Sequence, residues 1–260
     1  MKIFSSGILK FSQVFERFLS RLQGKGWGTA SIKSEVQSCL QLLKGHHLKV
    51  AVDIGANQGK YTEELMRFCP NLEHHIFEPS SSNVHHLKQR FSSKNNVHIV
   101  GKALSDTPGL LTLYADKPGS GLASLGKRRL DYLGIQMNFE EEVEVIRFDD
   151  YWRNFSSSSS AIDFVKIDVE GFELSVLEGF GALLSAVKLI QFEFGGTDID
   201  SRTFFKDFWY FFNDKGFILY RISPRGTLLV DSYSEQDEYF VYTNYIAINC
   251  QYAASPRFKT

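Results

Sequence analysis

The stretch that decides the fold is Val50-Ala51-Val52-Asp53-Ile54-Gly55-Ala56-Asn57-Gln58-Gly59. A nearly continuous apolar run, typical of a strand buried on both faces, leads into two glycines and then into a helical pattern. Gly55 and Gly59 allow the backbone to pass close to a ligand, and the following helix presents its N-terminal amides to that ligand. The stretch therefore predicts a strand, a ligand-binding turn and a helix.

The carboxylate of Asp53, near the end of this strand, indicates which ligand the turn binds. A dinucleotide site presents a pyrophosphate here, which a carboxylate would repel, and it normally has a third glycine. A ligand with an ammonium group would be attracted instead, and S-adenosylmethionine (SAM) carries one in its amino-acid tail. Asp53 thus favours SAM and disfavours a nicotinamide-dependent oxidoreductase.

The ends of the next two predicted strands agree with this ligand. Glu78 ends the second strand, where an acidic side chain can accept hydrogen bonds from both hydroxyls of a ribose. The third strand ends in residues 102–106, the usual place for an adenine contact, and Ala103 and Leu104 are its candidates. Both features predict a site for the adenosine part of SAM.

From residue 48 onward, short apolar runs alternate with helical patterns. The apolar runs lie at 50–54, 73–78, 97–104, 162–168 and 187–194, and the helical patterns at 59–68, 83–91, 171–180 and 203–213. Such alternation is typical of βαβ units. The sequence therefore predicts an α/β fold with a doubly wound, mainly parallel sheet and helices on both faces.

Further runs predict strands outside the parallel core. Runs at 109–114 and 142–148 predict extra strands inserted between the third and fourth core strands. Runs at 217–222 and 239–248 predict closing strands that could pair as a hairpin at the sheet edge.

A second block of charged residues lies at the end of the fourth core strand. Lys166 and Asp168 interrupt an apolar run, and alternation places both on one face of the strand. Glu170 follows in the turn, and Glu193 ends the next strand at an equivalent level. Because buried charge at a strand end is costly, the block indicates either a functional site or a structural ion pair of Lys166 with Asp168 or Glu170.

These motifs, in this order and spacing, resemble the FkbM-type methyltransferase family over roughly residues 48–248. The matching segments are Asp53 to Thr62, Phe77-Glu78-Pro79, Ala103 to Asp106, and Lys166-Ile167-Asp168-Val169-Glu170-Gly171 with Glu173. The resemblance implies a seven-stranded SAM-binding sheet with one antiparallel strand, and methyl transfer to oxygen, commonly a sugar or natural-product hydroxyl. It also implies a SAM site that includes Asp53, Gly55, Asn57, Gly59, Tyr61, Thr62, Glu78, Ala103 and Leu104.

A hydroxyl acceptor needs a base to take its proton, which predicts a catalytic carboxylate. The candidates are Asp168, Glu170 and Glu193, with Lys166 as an electrostatic partner for a developing alkoxide. Asp168 is preferred because its strand end lies nearest the expected methyl position. A non-catalytic binding or interaction protein on the same fold is the alternative.

The sequence predicts no metal site. Carboxylates this close are ligands that Mg²⁺ takes, but no ligand spacing requires the ion, so Mg²⁺ remains an alternative that is not favoured. All seven histidines lie between residues 46 and 98, and six of them form adjacent pairs. Since neighbouring residues point to different faces, the pairs are poor chelators and we predict surface histidines.

Residues 119–129 form a segment of small residues followed by three cations. Two interpretations stay open: a mobile loop that closes over an acceptor with a basic rim, and an ordinary solvated loop.

The net charge of −1 argues against a nucleic-acid partner, but it is unevenly distributed. Residues 1–49 hold eight Lys/Arg and two Glu, or +6, which leaves −7 for the remaining chain. The predicted N-terminal helix is amphipathic as well as basic. It could contact a membrane surface or a protein partner, although packing on its own domain is the favoured interpretation.

Three domain segments follow: an N-terminal helical extension at 1–46, a SAM-binding domain at 47–250 and a tail at 251–260. No apolar run is long enough to cross a membrane. The three widely spaced cysteines favour a reducing compartment, so we expect a cytoplasmic protein with a small-molecule or glycan acceptor.

Overall fold

The structure is a computed structural model that describes residues 6–27, 32–155 and 161–253. Its helices are α1 (Ser6–Leu22), α2 (Ile32–Leu42), α3 (Lys60–Phe68), α4 (Ser81–Arg90), α5 (Phe148–Phe155), α6 (Glu173–Glu178), α7 (Gly196–Ser201) and α8 (Phe205–Asp214). Its strands are β1 (Val50–Ile54), β2 (Glu73–Phe77), β3 (Val97–Val100), β4 (Ala103–Leu104), β5 (Gly109–Ala115), β6 (Phe139–Ile146), β7 (Ile162–Ile167), β8 (Val187–Phe194), β9 (Phe217–Ser223), β10 (Gly226–Val230) and β11 (Thr243–Asn249). The helices predicted after residue 48 begin and end within two residues of α3, α4, α6 and α8.

The main sheet confirms the predicted α/β fold. Its strand order is β10-β9-β11-β8-β7-β1-β2-β3, and the run from β8 to β3 is parallel. β11 lies antiparallel between β8 and β9. In the described ranges this sheet has eight strands rather than the predicted seven, because β10 forms a tight hairpin with β9. The closing strands do pair with each other, but the hairpin partner of β9 is β10.

Helices cover both faces of the sheet, which explains the continuous apolar runs. On one face, Val52, Val165 and Phe192 pack in a cluster with aromatic residues of α5 and α8. On the other face, Ala51 and Phe164 pack in a cluster with residues of α2 and α3. The carboxyl ends of β1, β2, β7 and β8 consequently meet at one edge of the sheet, where open α/β sheets bind ligands.

The inserted strands form a second, three-stranded sheet with the order β4-β6-β5. Both predicted insert strands are present as β5 and β6, which pair antiparallel. The single run predicted over 97–104 divides instead at Gly101 and Lys102. β3 stays in the main sheet, and β4 pairs with β6. This division carries the chain from the main sheet into the insert.

The N-terminal helices differ in their packing. α2 is part of the core, with Val36 and Cys39 buried against α3. All eight large apolar residues of α1 are instead 36–73% exposed, so the favoured prediction that this helix packs on its own domain is wrong. Within the described ranges, no helix has the length and apolar character needed to span a membrane. Residues 1–5, 28–31 and 254–260 of the predicted extension and tail lie outside the described residues.

Two of the histidines predicted to lie on the surface are buried. His74 and His75 belong to β2, a strand covered on both faces, and both side chains are almost inaccessible. The prediction of surface histidines is therefore wrong for this pair. All three cysteines are free thiols.

Candidate active site

The turn after β1 brings two strand ends into close contact. Gly55 has a φ of +78°, and a Cβ at this position would lie only 1.8 Å from the carbonyl oxygen of Asp168. The backbone N–H of Asp168 also donates to the carbonyl of Ile54, at 3.0 Å. Gly55 is therefore required both for its left-handed conformation and for the close approach of β7 to β1.

A cleft of about 700 Å³ opens between this turn and the inserted sheet; we call it the first cleft. Its lining includes the predicted cofactor-binding residues Gly55, Asn57, Glu78, Ala103 and Leu104. Ser120, Ala123 and Leu125, from the loop after β5, line it too. Five of the nine predicted SAM-binding residues thus share one cleft.

Glu78 is buried in the first cleft and well supplied with donors. Its Oε2 accepts a hydrogen bond from the Asn57 N–H at 2.8 Å. Its Oε1 accepts from the Ser80 N–H at 3.0 Å and from the Asn83 amide at 3.3 Å. Burial raises the pKa of Glu78, against the lowering effect of these hydrogen bonds. A carboxylate offers about four acceptor positions, so one position on Oε2 remains for a ligand hydroxyl.

A second cleft, of about 1,020 Å³, lies on the other side of the Gly55 turn. Asp53, Tyr61, Lys166 and Glu193 line it, together with Glu35 of α2. The two clefts share five lining residues: Gly55, Asn57, Ser120, Gly121 and Asp168. Of these, Asp168 is the acidic residue, so an acidic residue lies where the clefts meet.

Asp53 lies buried at the second cleft with one oxygen free of partners. The Thr62 hydroxyl donates to Oδ2 at 2.5 Å, whereas Oδ1 is buried without a hydrogen bond. Burial raises the pKa of Asp53, although Lys166 and Thr62 act in the opposite direction. Thr62 itself is buried behind this carboxylate and lines neither cleft, so it positions Asp53.

Gly59 and Tyr61, two other predicted cofactor-binding residues, face protein side chains. A Cβ at Gly59 would lie 2.7 Å from Leu87 and from Phe91, so this glycine allows α4 to pack against the turn. The Tyr61 hydroxyl donates to the side-chain oxygen of Gln191. Gly59 lies outside both clefts, and Tyr61 lines the second but not the first.

Lys166 is the cation of this buried region. Its ammonium group donates to Asp168 Oδ2 at 2.9 Å and lies 5.2 Å from the centre of the Tyr61 ring. Burial alone would lower the pKa of Lys166, but Asp168, Asp53 and Glu35 outweigh burial, and its pKa is raised. Lys166 and Asp168 do share a face, as alternation predicts.

Glu170 has a different cationic partner from the one that the sequence suggested. Arg128 donates to Glu170 at 2.9 Å and to Asp200 at 3.2 Å, and its side chain is buried. Burial, with a contribution from Asp168, raises the pKa of Glu170 to about 8. Because Arg128 is buried in this pair, it does not form the basic rim that one of the two interpretations of residues 119–129 includes. The loop is instead fixed over the first cleft, where Ser124 donates to the Glu170 carbonyl at 2.8 Å.

Residues 53–219 match the family model of the methyltransferase FkbM domain. The chain belongs to the FkbM methyltransferase family. The match covers both motif blocks described above, from Asp53 through Glu193, and confirms the family that the sequence motifs resemble.

Two curated proteins that are similar to this chain are methyltransferases by name. The chain is 23% identical over 159 residues to the 2-O-methyltransferase NoeI of Sinorhizobium fredii (strain NBRC 101917 / NGR234). This alignment covers 58% of this chain and 65% of NoeI. It is 26% identical over 142 residues to Methyltransferase 1 of Beauveria bassiana (strain ARSEF 2860), which covers 49% of this chain and 57% of the relative. The matches thus span less than two thirds of either relative.

This chain is similar to several solved structures. One is a putative caffeoyl-CoA O-methyltransferase from Staphylococcus aureus, at 10% identity and a TM-score of 0.46. That match covers 95% of this chain and 93% of the other. The plantazolicin methyltransferase BpumL in complex with SAH matches at 11% identity and a TM-score of 0.43, covering 94% of this chain and 91% of that one.

Three buried polar residues were missed by sequence reasoning: Glu35 and Asn244, which line the second cleft, and Gln191, which is bonded to both of them. The Gln191 amide donates to Glu35 at 2.8 Å and to Asn244 at 3.2 Å. Burial raises the pKa of Glu35 to about 7, although Lys166 and Gln191 lower it. Each could have been found from its polarity within an apolar pattern, since Glu35 lies three residues from Ile32 and four from Cys39 on the buried side of α2.

Glu193, the remaining predicted catalytic residue, lines the second cleft with Lys166 and Asp168. Burial raises its pKa well above the ordinary value, and Asp168 and Glu170 add to this effect. Among the described residues, the cleft carboxylates do not bring three ligand oxygens within 4.8 Å of one another. Mg²⁺ at this site therefore stays an untested alternative.

Proposed function

We propose that this chain is a SAM-dependent O-methyltransferase whose acceptor is a hydroxyl group of a sugar, glycan or natural product. The observation that carries the proposal is the position of Asp168, which lines both clefts. A base at a junction of two clefts is placed to receive a proton from an acceptor in one cleft while the cofactor lies in the other.

The residues of the first cleft and the turn fit SAM. Glu78 keeps one acceptor position for a ribose hydroxyl, and Ala103 and Leu104 provide an apolar wall for adenine. Asp53 Oδ1, at the second cleft, and Asn57 Oδ1, at the junction of the clefts, are buried without hydrogen-bond partners. The amino-acid tail of SAM would therefore extend past the Gly55 turn to the edge of the second cleft, where both oxygens can accept from its ammonium group. Bound SAM would supply an activated methyl group on a sulfonium.

The second cleft suits a hydroxylated acceptor. Its lining combines carboxyl groups with the cations Lys60, Lys117 and Lys166 and the amide of Asn244. Such groups donate to and accept from hydroxyl groups, whereas an apolar acceptor would leave them without partners. The name of NoeI, a 2-O-methyltransferase, supports oxygen as the methylated atom.

Asp168 is the base that the geometry favours among the predicted carboxylates. Glu170 is held by Arg128, and burial raises the pKa of Glu193 well above its ordinary value, which disfavours the ionised form that a base needs. Asp168 instead accepts a hydrogen bond from an ammonium group, an interaction made by the ionised carboxylate. Lys166 then remains beside the acceptor oxygen, where a cation stabilises a developing alkoxide.

The direct test is methyl transfer from labelled SAM to a panel of sugars, glycans and hydroxylated natural products. We expect Asp168→Asn to lower kcat by about 10²–10⁴-fold with unchanged affinity for S-adenosylhomocysteine, the demethylated cofactor. Asp231→Asn, an exposed carboxylate, is the matched control and should retain full activity. Full turnover by Asp168→Asn would disprove the assignment of the base.

A ligand comparison separates the alternatives. S-adenosylhomocysteine at about 100 times its dissociation constant should stabilise the chain by about 2.7 kcal/mol, and NAD should not. Stabilisation by NAD alone would favour an oxidoreductase. Binding of SAM without transfer to any hydroxylated acceptor would favour the non-catalytic binding protein.

A further inference from the structure

We propose that Glu73, His75 and His98 form a binding site for a zinc-type divalent cation, separate from the two clefts. Glu73 begins β2, whereas Glu78, which lines the first cleft, follows the opposite end of that strand. The site therefore lies toward the amino ends of the parallel strands, on the face of the sheet that α5 covers.

Strand register brings the three side chains together. β2 and β3 pair in parallel with His75 opposite His98, and Glu73 lies two residues before His75 on the same face. The Glu73 carboxylate oxygen is 3.0 Å from His98 Nε2 and 3.9 Å from His75 Nε2. One ligand atom from each residue lies within 4.8 Å of the other two. Ligands of a tetrahedral zinc ion lie roughly 3.3 Å apart, so only small side-chain shifts are needed.

His75 is the observation that points to a ligand. Its side chain is 0% exposed, and its Nε2 atom is buried with no hydrogen-bond partner. Buried polar atoms are almost always paired, so an unpaired ring nitrogen directed at a carboxylate and a second imidazole requires an explanation. A metal ion would provide the missing partner.

The hydrogen bond on the other ring nitrogen prepares His75 for this role. His75 Nδ1 lies 2.8 Å from the Tyr151 hydroxyl. Metal-bound imidazoles usually donate their second N–H to an oxygen, which fixes the ring and leaves Nε2 with its lone pair. Burial of the ring favours its neutral form, which is the form that binds a metal ion.

The surroundings suit a borderline cation rather than Mg²⁺. Two imidazoles and one carboxylate are ligands that zinc takes, whereas Mg²⁺ prefers oxygen alone. Trp152 and Phe155 pack edge-on against His75 with centroid distances of 5.0 and 4.4 Å, and they shield its side of the site. The side chains of His98 and Glu73 are 35% and 43% exposed, which leaves an entry path and room for water as a fourth ligand.

The site would join β3 to β2. β3 is the edge strand of the main sheet, and β2 is its hydrogen-bonded neighbour there. Bound metal would therefore add a cross-link at the sheet edge, and its effect would appear as increased thermal stability.

The test uses the full chain without a histidine tag, freed of metal by chelator and desalting. We expect isothermal titration with Zn²⁺ to give one site per chain, Co²⁺ to give the visible absorption of a tetrahedral centre, and Zn²⁺ to raise Tm. His98→Gln should lower the Zn²⁺ affinity by more than about tenfold. Tyr151→Phe, which removes only the hydrogen bond to His75, should lower it about 10–100-fold.

His85→Gln is the matched control, because this α4 histidine is bonded to Gln89 on the surface and should leave Zn²⁺ affinity unchanged. His98 is chosen for substitution because its side chain is partly exposed, so the variant should fold. Absence of Zn²⁺ binding, or equal binding by His98→Gln and the parent chain, would overturn the proposal and leave a simple hydrogen bond between Glu73 and His98. Methyl transfer can fail or succeed independently of this result.

Discussion

Lys166 donates a hydrogen bond to Asp168 at 2.9 Å and thereby joins the buried polar residues of the second cleft to the junction of the two clefts. The side chain of Lys166 is 8% exposed and that of Asp168 38%. Asp53 and Glu35 also act electrostatically on Lys166. One buried cation therefore compensates several carboxyl groups, and ionisation of all of these groups would lower the stability of the folded state.

Stability should consequently fall as the pH rises through the neutral range. The pKa of Glu35 is raised from 4.5 to about 7, so the folded state holds a proton there that the unfolded chain has released. The contribution of protonated Glu35 to the free energy of unfolding is fully present below about pH 4.5 and is lost as the pH rises through about 7. We expect Glu35→Gln to reduce the fall in unfolding free energy between pH 5 and pH 8 by about 2–3 kcal/mol.

Urea denaturation at several pH values measures this difference. Glu178→Gln, an exposed glutamate of α6, is the control and should keep the parent pH dependence. The pKa values of Glu173 and Glu170, raised to about 7 and about 8 by burial, act in the same direction, so Glu35→Gln should retain part of the fall. If Glu35→Gln showed the same fall in unfolding free energy between pH 5 and pH 8 as the parent chain, Glu35 would not be the group that holds the proton.

The contact between Gly55 and Asp168 gives a prediction about the turn after β1. Gly55→Ala places a Cβ 1.8 Å from a backbone oxygen, which must move. Gly45→Ala is a matched control, because Gly45 also has a positive φ but no atom within 4 Å of its Cβ position. We expect Gly45→Ala to cost about 1–2 kcal/mol of stability, the strain of the left-handed conformation alone.

Gly55→Ala should cost at least about 2 kcal/mol more and should abolish thermal stabilisation by S-adenosylhomocysteine. Urea denaturation and thermal shift measure the two effects. Equal costs for the two substitutions would show that the ends of β1 and β7 separate easily, which would contradict a rigid turn after β1.

Neighbouring arginines after β5 allow a test of the loop over the first cleft. The side chain of Arg128 is 4% exposed and bonded to Glu170 and Asp200, whereas that of Arg129 is 85% exposed. Removal of Arg128 leaves the buried Glu170 and its neighbour Asp200 without their hydrogen-bond donor, so Arg128→Gln should cost about 2–3 kcal/mol of stability. Arg129→Gln should stay within about 0.5 kcal/mol of the parent.

The same pair of variants reports on cofactor binding. Arg128→Gln should also weaken S-adenosylhomocysteine binding, because Glu170 lines the first cleft and its position depends on Arg128. Isothermal titration at pH 7 provides the measurement. Identical behaviour of the two variants would mean that the loop is held by other contacts.

The main sheet and the residues around the Gly55 turn that line the clefts could be predicted from the sequence, since both depend on local order along the chain. The Asp53-to-Gly59 turn and the Lys166-to-Gly171 block each lie within a few residues and carry their own spacing. The partners of Glu170 and Gln191 could not be predicted in this way. Arg128 is 42 residues from Glu170, and Glu35 is 156 residues from Gln191, so only the folded chain pairs them.

The histidines illustrate the same limit. Adjacent histidines do diverge, as the strand period requires, and neither His74 nor His75 chelates with its neighbour. The register of β2 and β3 places His75 beside His98, a pairing that cannot be found by looking only at neighbouring residues in the sequence. Burial of β2 on both faces then removes these rings from the surface, which the short apolar run after Glu73 did not indicate.

The exposed face of α1 predicts a peripheral contact with an anionic membrane surface. Its apolar residues, among them Phe11, Phe15 and Phe18, face solvent. Lys10, Arg17 and Arg21 recur at helical spacing and form a row along one edge of this apolar face. An apolar face beside a basic row is the pattern of helices that lie in a membrane interface, and each cation adds about 1 kcal/mol on anionic lipid.

We expect the full chain to sediment with phosphatidylserine-containing vesicles, less so with purely zwitterionic vesicles, and less at high salt, because salt screens the basic row. Phe11→Ser with Phe15→Ser should abolish the association without loss of Tm, since both side chains are exposed. Gln13→Ala, on the polar side of α1, is the control. If the parent chain failed to bind vesicles and instead formed concentration-dependent dimers in light scattering, the membrane contact would be contradicted. The apolar face would then be assigned to contact with a second copy of the chain.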